Sequence, residues 1–157
     1  KQKHIDKLIE VLADIDIDGS LFVAGGDLNS LPPSATVIDF CESDMCPGDN
    51  FHFEGSDPFH KEGSYFNNFN GEPDILQPLY SSYFSAVPFF AMNDREHLTH
   101  APSTSNDLRN IKYDRKLDYL FTNANEGWVS DSTVTHQKLW NLSDHMPISG
   151  ILNLSGN

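Results

Sequence analysis

The sequence predicts an α/β or layered α+β domain, and three observations lead to this fold class. Apolar residues recur at helical spacing near the start of the chain, from Ile5 to Ala13. The continuous apolar run Leu21–Ala24 follows, which is typical of a strand covered on both faces. Later stretches are rich in β-branched and aromatic residues and have strand character. Helix, short turn and buried strand in succession indicate helices layered on sheets.

Length and charge limit the class of protein. The 157 residues have the size of one domain. The formal net charge is −13, from 23 acidic and 10 basic side chains, so we expect no broad surface for duplex nucleic acid. A small phosphate ester is compatible with this charge, because a bound divalent cation reverses the local sign. No apolar stretch reaches the roughly 20 residues of a membrane-spanning helix, so we expect no transmembrane segment.

Three helices are expected in the first part of the chain. The first should run for about three turns and end near Gly19, which supplies the stop. A second should begin at Pro33 or Ser34. A third, amphipathic and aromatic, should cover Ile75–Phe84.

The remaining chain divides into strands and loops. Three strands are predicted, at Lys116–Thr122, Gly127–His136 and Ile148–Leu154. Two long stretches without periodicity, Asp44–Asn70 and Ala91–Lys112, are predicted to be loops that border the site and select the substrate.

The first polar cluster follows the first predicted strand and contains Asp27 and Asn29. Side chains two residues apart at a strand end point the same way, so a carboxylate and an amide would share one pocket. The carboxylate can orient or deprotonate a water, and the amide can donate to a phosphoryl oxygen. The alternative is a strand cap with an Asx-turn.

The second cluster pairs Asp144 with His145 just before Pro147. A bend in the backbone would place a metal-binding carboxylate beside a histidine that contacts phosphate. The alternative is a surface aspartate and a half-buried histidine. The other histidines are not at tight ligand spacing and are interpreted as solvated or core residues: His4, His52, His60, His97, His100 and His136.

A third carboxylate, Asp118, stands inside an apolar strand and must find a hydrogen-bond partner there. One role is to accept from a histidine Nδ1–H and fix the histidine's tautomer. The alternative is an ion pair with Lys112, Arg115 or Lys116.

The only cysteines, Cys41 and Cys46, have the spacing C-x4-C. Structural zinc needs four ligands, so this is a weak zinc signal. A local disulfide is an alternative to the favoured interpretation as two ordinary thiols.

Three motifs in this order carry a family resemblance: Gly25–Ser30, Arg115–Phe121 and Leu142–Ile148. Together they resemble the C-terminal half of the endonuclease/exonuclease/phosphatase superfamily, which includes pancreatic deoxyribonuclease, abasic-site endonucleases, inositol polyphosphate 5-phosphatases and neutral sphingomyelinases. The resemblance covers nearly the whole chain. It implies that residues 1–157 form the C-terminal half of a four-layer α/β sandwich, with mixed β-sheets flanked by helices.

The resemblance also implies divalent-metal-dependent cleavage of a phosphodiester or phosphomonoester. By that implication Asp27 orients or activates the attacking water and Asn29 binds the scissile phosphate. His145 contacts the phosphate, Asp118 holds His145, and Asp144 is a metal ligand. Mg²⁺ suits the carboxylate oxygens, and Mn²⁺ or Ca²⁺ would suit similar ligands.

One departure from the family pattern qualifies this expectation. Family members have an earlier half that supplies an Asn, a metal-binding Glu and a further His or Tyr, and this chain is expected to need that half in cis or as a fragment. The 157-residue chain alone is therefore expected to be inactive. The substrate would be a nucleic acid, a sugar phosphate or a phospholipid headgroup. The alternatives are a non-catalytic binding or scaffolding module with the same fold, and a calcium-binding lectin.

Overall fold

The molecule combines helices with small antiparallel sheets, which confirms the α+β class. The structure is a computed structural model, and it describes residues 1–33, 75–92, 94–100, 116–139 and 142–154. Within these ranges the strands form one three-stranded and one two-stranded sheet. Both described sheets are antiparallel, whereas mixed sheets were predicted. None of the described helices has the length and apolar character to span a membrane.

The first helix, α1, covers Gln2–Ile17 and is longer than the predicted three turns. Its apolar stripe includes the buried Ile5 and Leu12, and the partly buried Ile15 continues the stripe by another turn. The helix ends where predicted, because Gly19 adopts a positive φ of 71° that other residues rarely adopt.

The three-stranded sheet carries the candidate site. Its strands are β1 (Val23–Asp27), β2 (Phe84–Ser85) and β3 (Asp118–Thr122), in the order β1-β3-β2. β1 and β3 approach so closely that a Cβ at Gly25 would overlap the carbonyl oxygen of Tyr119. The Gly25 position therefore requires a glycine.

The strand β1 corrects the prediction of a strand at Leu21–Ala24 covered on both faces. It begins two residues later and is mostly exposed, with Val23 at 53%. Of the predicted apolar run, only Phe22 is fully buried, and its ring packs against Tyr83 at a centroid distance of 5.1 Å. An apolar run is typical of a strand covered on both faces. In the structure the described residues cover only one face of this sheet, and the sequence alone does not show which faces are covered.

The core lies between β3 and the two described helical segments, α1 and residues 75–82. Tyr119 and Phe121 are both 1% exposed and point into this core. Side chains alternate along a strand, so Asp118 lies on the opposite face, away from the helices. The buried core residues are Ile5, Leu12, Phe22, Leu76, Leu79, Tyr83, Tyr119 and Phe121.

The prediction of a helix over Ile75–Phe84 is wrong at its end. The helical segment stops at residue 82, and Phe84 enters β2, where it pairs with Thr122. The indole Nε1 of Trp128 donates to the carbonyl oxygen of Phe84 at 2.9 Å. These long-range contacts outweigh the helical periodicity of the sequence.

The two last predicted strands are shorter than expected. β4 (Val134–Thr135) pairs with β5 (Ile148–Ser149), and an isolated bridge joins Trp128 to Leu152. The predicted Gly127–His136 strand is interrupted because Asp131 adopts a φ of 58°, which is incompatible with a strand. The predicted Ile148–Leu154 strand is therefore reduced to β5 and this bridge.

Several predictions fall on residues outside the described ranges. They are the body of the second helix, the loop Asp44–Asn70, and Cys41 with Cys46. Of the predicted loop Ala91–Lys112, the described part contains a short 3-10 turn, Arg95–His97, and extends to His100.

Candidate functional site

Two carboxylates face each other at one end of the sheet. Asp27 is the last residue of β1, Asp118 is the first of β3, and the antiparallel register places them directly opposite. Opposed residues project to the same face of a sheet, and like charges in this position repel. A cation or a protonated group nearby would reduce this repulsion.

The imidazole of His145 lies against both carboxylates. Its Nδ1 is 3.0 Å from Asp118 Oδ2, and its Nε2 is 3.9 Å from Asp27 Oδ2. The Asp118 side chain is only 16% exposed, whereas that of Asp27 is 43% exposed. The contact with Asp118 assigns the proton of neutral His145 to Nδ1, which leaves Nε2 directed toward the more exposed carboxylate.

The surrounding charges favour the imidazolium form of His145. Partial burial alone would lower the pKa of His145. The hydrogen bond and charge of Asp118, together with the charges of Asp27 and Asp144, outweigh that effect and raise the pKa. The opposed carboxylates and the raised pKa of His145 therefore act in the same direction, toward a proton held on the imidazole.

Lys116, one of the three alternative partners of Asp118, forms no ion pair with it among the described contacts. Lys116 is 1% exposed, and its Nζ has no hydrogen-bond partner among the residues that the structure describes. The Nζ lies 5.1 Å from the ring centroid of Tyr119. Burial lowers the pKa of Lys116 to about 8, and the charge of Asp118 opposes this shift. The alternatives Lys112 and Arg115 lie outside the described residues.

The buried Thr99 connects the segments that carry the site. Its hydroxyl accepts from the backbone N–H groups of Leu117 at 2.9 Å and Asp118 at 3.0 Å. Its carbonyl oxygen accepts from the N–H of Met146 at 2.6 Å. Thr99 therefore sets the distance between Asp118 and His145. Sequence analysis did not identify it, because nothing in its local pattern reveals contacts with distant segments.

Asn29 is joined to Asp27 through its backbone. Its N–H donates to Asp27 Oδ1 at 2.7 Å, and its φ is 47°. This is the Asx-turn considered as the alternative, and it fixes the orientation of the Asp27 carboxylate. The exposed side chain of Asn29 makes no described contact with His145. Its role as a phosphate ligand stays a prediction.

Asp144 and His100 also lie close to His145. His100 forms an antiparallel bridge with His145, and the ring centroids are 5.3 Å apart at an interplanar angle of 76°. One ligand atom from each of His100, Asp144 and His145 lies within 4.8 Å of the others. Sequence spacing gave no reason to group His100 with this pair, because 44 residues separate it from Asp144.

The donor set fits a divalent cation. Asp27, Asp118 and His145 form a second group whose ligand atoms lie within 4.8 Å of one another. With Asp144 beside it, the neighbourhood of His145 offers several carboxylate oxygens, which are the hard donors that Mg²⁺ prefers. The metal role of Asp144 stays a prediction.

A cavity of about 790 Å³ lies elsewhere on the described surface. Asp27, Asp118 and His145 do not line it. The cavity is lined by aromatic rings, including Trp128, and by acidic side chains: Asp94, Glu96, Glu126 and Asp131. We place the candidate site at the carboxylate–histidine cluster, because the cluster and not the cavity combines a histidine with oriented carboxylates.

Comparisons of the chain with protein-family models, with curated proteins and with solved structures give no match.

Proposed function

We propose that this chain forms part of a divalent-metal-dependent phosphoesterase that hydrolyses a phosphodiester or phosphomonoester. The observation that carries the proposal is the position of His145 between two carboxylates. One of them, Asp118, holds Nδ1 at 3.0 Å, and the other, Asp27, lies 3.9 Å from Nε2. An oriented imidazole beside an exposed carboxylate provides a phosphate contact and a water-binding group in one place.

The proposed roles are those that the family resemblance implies, and the positions of Asp27, Asp118 and His145 support theirs. Asp27 orients the attacking water and takes its proton as the water oxygen bonds to phosphorus. His145, as imidazolium, donates to a phosphoryl oxygen while the ester P–O bond breaks, and the leaving oxygen takes a proton from solvent. Asp118 acts on His145 alone, fixing its orientation and favouring its charge. Asn29 donates its side-chain amide to the phosphate.

Asp144 would hold Mg²⁺, with Mn²⁺ or Ca²⁺ as ions that suit similar oxygen ligands. When bound, the ion supplies positive charge that polarises the phosphoryl group. The exposed position of Asp144 allows its carboxylate to reach an ion that also contacts a substrate phosphate.

The charge distribution narrows the substrate class. A net charge of −13 and an acidic cavity on the described surface disfavour the backbone of duplex nucleic acid. We therefore propose a phosphate ester without an extended duplex contact. A sugar phosphate, a phospholipid headgroup or a short nucleic acid would meet this condition.

We further propose that the fold is the C-terminal half of a four-layer sandwich whose site needs residues from an earlier half. The exposed face of the sheet supports this. Val23 and Asp27 share that face of β1 and are both exposed, and Asp118 lies opposite Asp27 at its end. A second sheet on this face would cover Val23 and bring further polar groups toward Asp27.

The test is hydrolysis of a chromogenic phosphodiester and a chromogenic phosphomonoester. Both are assayed with Mg²⁺ and with a chelator, on the 157-residue chain and on the longest natural chain that contains it. We expect Mg²⁺-dependent turnover by the longer chain and none by the shorter one. Turnover that is insensitive to the chelator would contradict the metal role. Absence of turnover from the longer chain across the panel would favour the non-catalytic binding module.

A further inference from the structure

Two imidazoles and one carboxylate, those of His100, His145 and Asp144, form a second group of candidate metal ligands. Ligand atoms of His100, Asp144 and His145 lie within 4.8 Å of one another, which is close enough for one ion to contact all three. This set differs from the oxygen-rich group of Asp27 and Asp118 because two of its three donors are nitrogens.

Nitrogen donors change which ion is preferred. Mg²⁺ favours oxygen ligands, whereas imidazole suits Zn²⁺, Co²⁺ and related transition metals. Three protein ligands from His and carboxylate groups, with water in the fourth position, form a common open zinc site. The His100, Asp144 and His145 set has this composition.

The backbone holds the two histidines in place. An antiparallel bridge pairs His100 with His145. On the neighbouring residues, the N–H of Met146 donates to the carbonyl oxygen of Thr99 at 2.6 Å, and the side chain of Thr99 is anchored at the start of β3. The backbones that carry the two imidazoles are therefore held side by side without an ion.

Asp118 prepares His145 as a ligand. Because Asp118 Oδ2 is 3.0 Å from Nδ1, the nitrogen left for an ion is Nε2. A carboxylate, a histidine and a metal in this succession are a recurrent arrangement in zinc proteins, and the carboxylate makes the imidazole more basic.

We propose that His100, Asp144 and His145 bind a transition-metal ion of the Zn²⁺ class, in competition with the Mg²⁺-assisted use of Asp144 and His145. An ion on Nε2 of His145 removes the nitrogen that would contact phosphate, and it occupies the carboxylate of Asp144. The binding stands on the ligand geometry alone. The inhibition that follows from it rests on the proposed phosphoesterase function.

Binding is measured first, by titrating Co²⁺ into the longest natural chain and recording its visible absorption, with Zn²⁺ then added as a competitor. We expect one Co²⁺ per chain, displaced by Zn²⁺. His100→Ala should weaken binding by more than the roughly 10–100-fold that loss of an outer-shell partner costs. His4→Ala, on the exposed surface of α1, is the matched control and should bind like the wild type.

Asp144→Asn provides a second variant in case His100→Ala does not fold, as judged by circular dichroism. Equal Co²⁺ affinity in the wild type and in whichever of these variants folds would overturn the proposal, and so would absence of binding to the wild type. The hydrolysis rate with Mg²⁺ is then compared with and without micromolar Zn²⁺ for each protein. Zn²⁺ should slow the wild type several-fold more than His100→Ala.

The two measurements separate the two proposals. His100-dependent Co²⁺ binding without any hydrolysis would support the metal site and count against the phosphoesterase. Hydrolysis without His100-dependent metal binding would support the phosphoesterase and count against the metal site.

Discussion

The buried Lys116 makes a prediction whose magnitude follows from the structure. Its side chain is 1% exposed, its Nζ has no hydrogen-bond partner within the described part of the chain, and burial lowers its pKa from 10.5 to about 8. Each pKa unit corresponds to about 1.4 kcal/mol, so the charged form costs about 3 kcal/mol of folding free energy. Replacing Lys116 with Met should recover most of this cost at neutral pH.

The sign of the pH dependence follows from the direction of the shift. Above pH 10.5 the lysine is neutral in both the folded and the unfolded chain, and no penalty exists. As the pH falls from 10.5 to about 8, the unfolded chain takes up a proton before the folded chain does, so stability is lost. Below pH 8 the penalty is constant.

Urea unfolding of the wild type and of Lys116→Met, followed by circular dichroism at pH 7 and pH 11, tests this. We expect the variant to be more stable by up to about 3 kcal/mol at pH 7, with a difference that falls toward zero at pH 11. Lys138→Met is the control, because Lys138 is exposed, and it should show no such convergence. A variant that is less stable at pH 7, or a difference that is the same at both pH values, would refute the reasoning.

Three further changes test the contacts that build the site. Asp118→Asn should lower the pKa of His145, because Asp118 raises that pKa through its hydrogen bond and charge. The imidazole proton shift in an NMR titration measures the change. An unchanged pKa would contradict the contact. Thr99→Val removes the acceptor of two buried N–H groups and should cost about 1–3 kcal/mol in urea unfolding, whereas Thr99→Ser should retain most of the stability. Gly25→Ala should disrupt the pairing of β1 with β3, because its Cβ would overlap the carbonyl oxygen of Tyr119. Amide hydrogen exchange in β3 should then accelerate. Unchanged exchange would count against the close approach of the two strands.

Local patterns predicted the elements whose structure depends on local sequence. The helical spacing of Ile5 and Leu12 predicted α1, and the glycine at its end predicted the stop. The strand predicted at Lys116–Thr122 contains all of β3 and begins only two residues before it. It was predictable because an apolar run bounded by polar residues reflects burial there. The need of Asp118 for a partner was also predictable, because a carboxylate among apolar residues must be satisfied.

The predictions that failed depend on contacts between distant parts of the chain. Phe84 fits a helix by spacing, but pairing with β3 determines its conformation. Thr99 and His100 stand in a stretch without periodicity. Their part in the site depends on contacts with Met146 and His145, which no local pattern predicts. The apolar run Leu21–Ala24 has the same limit, because burial on both faces depends on distant segments and the structure buries only Phe22 fully.

The central claim is that His145 acts in hydrolysis because Asp118 and Asp27 orient and charge it. The most direct measurement compares the Mg²⁺-dependent hydrolysis rate of a phosphodiester for the wild type, His145→Gln and His136→Gln in the longest natural chain. His136 is the control, because its Nε2 also forms a hydrogen bond with a side chain, Ser149 Oγ at 2.8 Å, but lies outside the carboxylate–histidine cluster. We expect His145→Gln to lose at least about 100-fold in rate, because the group acts on the transition state, and His136→Gln to stay near the wild type. Equal rates for the two variants would contradict the central claim.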